Sequence, residues 1–446
     1  MTHMLVPIEA SQTTAGVWVG IVGVEPGHLT LQVGDASPRV VEDDWIAFTT
    51  WDRVRVRAQR VVVDGLQPGR RYPLRLVEGT AVRATATTAT LPDALPAIGE
   101  RPFTCLLGSC FGRLSDGAGA VGAAVAKLPA QYRPDATLLC GDQVYLDAPF
   151  ARFLTSIHSG EDLRAALLET YLSTWTQDGP GAGFAQVLRQ GATYFSSDDH
   201  ELWNNAPSRS PAVLNSWFGG PRDEYRSVAT ALYDLFQTPS RTARLKIGRL
   251  SIIVVDARMD RTSDRKRLMP DSRMVELGTW VDDLEGPGVL VIGQPILSSR
   301  AGWRGHFLDW GLPDFRQYED LVRAVQRSRH DIVVLTGDVH FGRLAGCRLP
   351  SGAELYEVIA SPFALVDQRL EREWHAPPGR FPDSGIPGTT GCNVWVDDRY
   401  REARDHFATI GFTAVGTRVH MDVQAWPIPA PGLAPVPGSA YSVDLN

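Results

Sequence analysis

Several short polar clusters in this 446-residue chain hold residue types able to bind a cation or move a proton. They are "GSC" with Cys110, "GDQVYLD" with Asp142, Tyr145 and Asp147, "SSDDHELWNN" with Asp198, Asp199, His200 and Glu201, "VVDAR" with Asp256 and Arg258, and "TGDVHFG" with Asp338 and His340. An exposed acidic turn capping a helix would account for any one of them. Gathered in one cleft they mean more, because neighbouring carboxylates repel one another unless a cation neutralises them. Thiolate, phenolate and imidazole suit a borderline or trivalent ion such as iron, while carboxylates and amides suit calcium, magnesium or manganese. Two sites sharing Asp142 as a bridge would accommodate both kinds of donor. A metal pair about 4 Å apart clamps the attacking and leaving oxygens of an in-line displacement, so phosphoester hydrolysis is the chemistry that fits.

The clusters share a place in the chain pattern. "FTCLL" runs into Cys110, "ATLLC" into Asp142, "LSIIVV" into Asp256 and Arg258, "GVLVI" into Gly293 and Gln294, and "DIVVL" into Asp338 and His340. Continuous apolar runs alternating with helical stretches are the pattern of strands buried on both faces of a layered α/β core. Ligands bind such sheets at the carboxyl ends of the strands. Five strand ends therefore bring their polar groups to one rim, and "SSDDHELWNN" is expected as a loop on it. "ELYEVIA" reads as a further strand.

Before residue 96 the pattern differs. Alternating segments such as "GVWVGIVGV", "HLTLQVG" and "VRVRAQRVVV", separated by Gly and Pro turns, predict a small antiparallel β-sandwich over 1–95. Tyr72, in "VVVDGLQPGRRYPLRL", occupies the place of a tyrosine corner, as in fibronectin type III-like domains. "LPDALPAIGERP" (91–102) reads as a linker into a catalytic domain over 96–446. A helical insertion is expected near 150–195, where Leu163, Leu167, Tyr171 and Trp175 recur every four residues and Ser159 is placed to cap. "HFATIGFTAVGTRVHMDVQAW" reads as a hairpin, and "PIPAPGLAPVPGSA" as an extended Pro-rich tail.

The net charge of −7 offers no basic field for a nucleic-acid backbone, so no stable nucleic-acid partner is expected. No segment reaches the roughly 20 apolar residues of a membrane span. The five cysteines are sparse and irregularly spaced, a poor disulfide framework. With no basic, apolar leader at the N-terminus, a cytoplasmic location is expected, although a trimmed secreted chain would read the same.

"GSC", "GDQVYLD", "DDHELWNN", "VVDAR" and "GDVH", in that order, resemble the motifs of the alkaline phosphatase D (PhoD-like) family of calcineurin-like metallophosphoesterases. The likeness covers about residues 103–365, and the preceding sandwich matches that family's usual N-terminal domain. It implies a four-layer α/β/β/α catalytic fold with a binuclear centre. By the resemblance Cys110, Tyr145 and His340 would bind a first metal, Asp199 and Asp338 a second, and Asp142 would bridge them. Iron with a harder divalent ion (calcium, manganese or magnesium) is the implied pair. His200 would stand where a general acid is expected, and Arg258 where an arginine meets the phosphate. The familiar member's twin-arginine leader is not spelled by the opening residues, so a periplasmic phosphate-scavenging role is not what the resemblance is expected to imply here.

The motifs do not separate monoester from diester hydrolysis. The rival from another class is a catalytically degenerate protein that holds metal and phosphate and uses the sandwich for interaction. Asp147 and Asp198 could orient ligands, and one of Asn204 and Asn205 is expected beside them. Oligomeric state is not legible.

Overall fold

The computed structural model describes all residues except 1, 24, 26, 42–43, 150, 177–182, 302–309, 366–373 and 430–432. The N-terminal strands are β1 (Thr2–Ala10), β2 (Ala15–Val22), β3 (Leu29–Val33), β4 (Arg39–Val40), β5 (Ile46–Thr50), β6 (Arg53–Val63), β7 (Arg71–Glu78) and β8 (Ala81–Ala89). Then come β9 (Phe103–Gly108), β10 (Ala136–Cys140), β11 (Ala192–Ser196), β12 (Thr242–Ile247), β13 (Leu250–Val255), β14 (Gly288–Val291) and β15 (Ile332–Thr336). The remainder are β16 (Gly342–Arg348), β17 (Glu354–Ile359), β18 (Arg380–Phe381), β19 (Cys392–Glu402), β20 (His406–Val415), β21 (Arg418–Pro427) and β22 (Ala440–Leu445). The helices are α1 (Ala120–Ala126), α2 (Ala151–Leu154), α3 (Gly160–Trp175), α4 (Gly183–Val187), α5 (Gly219–Phe236), α6 (Asp271–Asp282) and α7 (Tyr318–Arg327).

Two large sheets lie face to face. One runs β22-β21-β20-β9-β10-β11-β1-β2-β6-β5, the other β12-β13-β14-β15-β17-β16-β19-β18. Cys105, Leu107, Ile252, Val254, Val333 and Leu335 pack together between them. The alternate residues turn outward: Leu106 and Leu139 meet α3 and α5 through Leu167 and Leu232, and Ile253 and Val334 meet α6 and α7 through Leu277 and Leu321. The result is the expected α/β/β/α layering. It also explains the unbroken apolar runs, since these central strands have no solvent face.

The N-terminal sandwich forms between β1, β2 and β6 on one side and the four-stranded sheet β4-β3-β7-β8 on the other, with Leu5, Val17 and Val19 against Leu31, Leu74 and Leu76. The hydroxyl of Tyr72 accepts the Gln67 amide at 2.8 Å, the tyrosine-corner contact. β1 lies parallel beside β11, so the sandwich shares a sheet with the α/β layers while the connection at 91–102 carries no named strand or helix.

The helical insertion buries Leu163, Leu167, Tyr171 and Trp175 on one face of α3. Ser159 precedes the helix in extended conformation but its hydroxyl makes no capping bond; the Gly160 amide goes instead to Glu224 of α5 at 2.6 Å. The hairpin expected near the C-terminus is β20–β21. The tail does not merely lie extended: its last residues form β22, paired antiparallel to β21. Residues 430–432 of the Pro-rich stretch lie outside the described ones.

Candidate metal centre

The loops after β9, β10, β11, β13, β14 and β15 meet at one rim. The strand "ATYFS" (β11), not apparent in the sequence, carries "SSDDHELWNN" there by running parallel to β10. Cys110, Asp142, Asp338 and His340 all take left-handed backbone angles, with φ of 57°, 56°, 72° and 59°. Non-glycine residues reach that region at a cost of about 1–3 kcal/mol each, which marks functional loops. The glycines ahead of the two aspartates allow the loops to close. A Cβ on Gly141, itself at φ 90°, would strike the Asp198 side chain and backbone, and one on Gly337 would strike the Ser109 side chain.

Carboxylate oxygens of Asp142, Asp198, Asp199 and Asp338 lie within 4.8 Å of one another, and Asp142 also groups with Asp199 and His200. Cys110 and Tyr145 adjoin this set. The Cys110 sulfur is 3.5 Å from Asp142 Oδ2 and the Tyr145 ring 4.2 Å from the His200 ring. His340 lines the same cleft. Burial, then the neighbouring acids, push Asp198 well above the usual carboxylate range; burial does the same to Asp142 despite His200 beside it. Burial likewise raises the Cys110 thiol and the Tyr145 phenol, each further raised by nearby negative groups. The Tyr145 hydroxyl is buried beside the Cys110 thiol and the Asp142 and Asp199 carboxylates. Buried acids held together beside a buried thiol and phenol are what a cation would relieve. The donor set therefore fits metal ions.

A second ring of groups fixes the first. Glu201, fully buried, accepts the amides of Asp142 and Asp198 on Oε2, both at 2.9 Å, and that of Gln143 on Oε1 at 2.7 Å. Asp147 Oδ1 lies 2.7 Å from His200 Nδ1, and Asp147 Oδ2 accepts the Asn204 amide. Burial disfavours charge on His200, but Asp147, Asp199 and Asp142 together hold its pKa well above the ordinary value. The Asn205 amide donates to Asp199 Oδ2 and its side-chain oxygen accepts the Trp310 amide. Gln294 donates to Asp338 Oδ2 at 3.1 Å and accepts from Arg261 at 2.6 Å. Asp256 receives Ser197 and the amides of Arg258 and Met259, which folds the "VVDAR" turn.

Arg258 stands elsewhere than the sequence led one to expect. It does not line the cleft; it is buried behind the acids, with its guanidinium 3.2 Å from Asp198 and 3.3 Å from Asp199. Burial opposes ionisation of Asp199, yet Arg258 and His200 hold its pKa below the usual range. Asp198, expected only to orient ligands, has its carboxylate inside the acid group. Residue type does not reveal the supporting role of Glu201, although "DDHE" places it one short turn from Asp198.

The cleft encloses about 490 Å³. Asp142, Asp199, His200, Asp338 and His340 line it together with Pro295, Leu297, Phe341, Arg343, His375 and Pro377.

A solved structure of PhoD matches this chain over 99% of its length and 91% of PhoD's, with a TM-score of 0.67 at 13% sequence identity. This chain has the PhoD fold. Neither a protein-family model nor a curated protein matches the sequence. Amylomaltase from Corynebacterium glutamicum aligns over 74% of this chain and 55% of its own at a TM-score of 0.17 and 13% identity, too low to bear on either fold or function. The likeness to PhoD spans the sandwich as well as the α/β layers. Among the described residues no helix is long and apolar enough to cross a membrane.

Proposed function

We propose that this chain is a metal-dependent phosphoester hydrolase of the PhoD-like kind. The observation that carries this reading is the buried group of Asp142, Asp198, Asp199 and Asp338, with His200 beside it, opening into a cleft on a PhoD fold. Cys110, Asp142, Tyr145 and His340 would hold one ion, and Asp142, Asp199 and Asp338 a second, with Asp198 as a further donor. Iron and a harder divalent ion suit these two sets. When bound, such ions supply Lewis acidity that lowers the pKa of water and neutralises charge on phosphate oxygens. Glu201 holds the Asp142 and Asp198 loops in register for that purpose. Arg258 fixes the Asp198 and Asp199 carboxylates from behind. His200, its Nδ1 occupied by Asp147, would give a proton to the departing alkoxide.

Elemental analysis of the unsupplemented protein, with hydrolysis of an aryl monophosphate and a bis-aryl phosphate assayed on the same sample, tests the reading. Near-stoichiometric metal with turnover is expected, and the two rates rank monoester against diester. A metal-free protein that stays inactive after reconstitution with iron, calcium and manganese would favour a metal- and phosphate-binding protein without catalysis.

A further inference from the structure

Arg343 on β16 and Glu357 on β17 form an ion pair, Nη2 to Oε1 at 2.7 Å, in which both side chains are almost wholly buried. Every group this pair reaches belongs to the cleft wall or its support. Glu357 Oε2 accepts the amides of Ile296 and Leu297 at 2.7 and 2.8 Å. Arg343 donates to the carbonyls of Leu297 at 3.0 Å and His375 at 3.2 Å, and its guanidinium lies 5.6 Å from the centre of the Phe341 ring. Leu297, Phe341 and His375 all line the cleft, on stretches of chain far apart in sequence.

We propose that Arg343 and Glu357 are positioning residues that set the wall on which the organic arm of the ester rests, and so govern substrate binding more than turnover. The inference rests on the phosphoester reading above. The acids and His200 occupy one part of the cleft, while Pro295, Leu297, Phe341 and Pro377 supply an apolar part suited to an organic group and not to phosphate. Stability alone is a weak reason for such a pair, since well-packed apolar residues commonly replace a buried ion pair without loss. Loop amides and carbonyls need partners wherever they are buried. This pair provides them from one rigid point, which ties the 295–299 loop and the chain at His375 to neighbouring strands.

The test compares wild type with Glu357→Gln and with the double replacement Arg343→Met, Glu357→Leu, which leaves no unpaired buried charge; thermal unfolding selects the variant that is folded for the comparison. KM for a bis-aryl phosphate should rise roughly tenfold, the factor that about 1.4 kcal/mol of lost binding produces. With kcat within about twofold, that pattern marks lost binding and not lost chemistry. Metal content should be unchanged, and hydrogen exchange at the Ile296 and Leu297 amides should accelerate. A folded variant with unchanged KM, or one in which metal and kcat fall together, would overturn the proposal. If wild type hydrolyses neither ester, the phosphoesterase reading fails. The substrate-positioning role then falls with it, whereas unchanged exchange at the Ile296 and Leu297 amides in a folded variant of an active enzyme would overturn the proposal alone.

Discussion

His200 and Asp147 are joined by a 2.7 Å contact between Nδ1 and Oδ1, with the Asp147 side chain completely buried. That contact occupies one ring nitrogen and fixes the imidazole plane beside Tyr145. His200→Ala is therefore expected to keep its metal and lose about 10²–10⁴-fold in turnover, the range for a general acid. Turnover on both model esters with parallel elemental analysis checks it. Undiminished turnover would remove His200 from the chemistry.

Asp142 is shared by the two donor sets proposed above, and its carboxylate lies within 4.8 Å of those of Asp198, Asp199 and Asp338. Asp142→Asn is expected to lower the content of both metals together, and a chelator should lower the unfolding temperature of the wild-type protein, with recovery on adding metal back. A ligand that binds only the folded state stabilises by about 2.7 kcal/mol at 100 times its Kd. Full metal content in Asp142→Asn would rule out a bridging position.

Glu201 accepts three backbone amides and offers the chain no donor in return. In Glu201→Gln an NH2 group would face at least one of those amides, leaving buried donors unpaired at about 1–3 kcal/mol. Chemical denaturation should show that loss, and calorimetric metal titration a weaker affinity, since the amides held belong to Asp142 and Asp198. Wild-type metal affinity would show that Glu201 serves the fold alone.

Gly141→Ala joins a strained φ to a collision with Asp198. A destabilisation of about 2 kcal/mol or more is expected, with metal binding impaired because the displaced residue is a prospective ligand. Thermal unfolding and metal content of the purified variant measure both effects.

Asp116, buried at the start of α1, accepts the Val121 amide at 2.9 Å. Burial pushes its carboxyl up to about 6 from 3.8, more than the amide pulls it down. The folded state thus holds this proton more tightly than the unfolded chain. Its contribution to stability is fully present below about pH 4 and is lost as pH rises through about 6, a change of at most about 3 kcal/mol. Asp116→Asn should lack this component, so wild-type and variant unfolding free energies measured from pH 4 to 7 should diverge as pH rises. Parallel pH profiles would show that Asp116 titrates normally.

Much of the candidate centre was legible in the sequence because strands buried on both faces carry most of their polar groups at their ends. "CLL" (105–107), "LLC" (138–140) and "IVVL" (332–335) are continuous apolar runs, and Cys110, Asp142, Asp338 and His340 follow them at the rim. The alternation in the first 95 residues likewise announced a sandwich, because β3, β7 and β8 bury one face each, although β1 and β2 are covered on both. Strand order was not legible. Periodicity records which face of a strand is buried but not which strand lies beside it, so the pairing of β1 with β11 and of β22 with β21 emerged only from the fold.

The same limit separates donors from their supports. Asp198, Asp199, His200 and Glu201 are consecutive and similar in type, yet the short helical turn they form sends Asp198 and Asp199 into the acid group and Glu201 behind it to three amides. Arg258 and Arg343 could not be told apart by sequence either: one is buried behind the acids and the other lines the cleft. The sequence by itself determined which polar clusters follow the apolar runs and so reach the rim, since a strand covered on both faces carries few polar groups along its length. Only the packing of two sheets against each other decided which of those groups touch, because contact between loops depends on strand order and on the direction each turn takes.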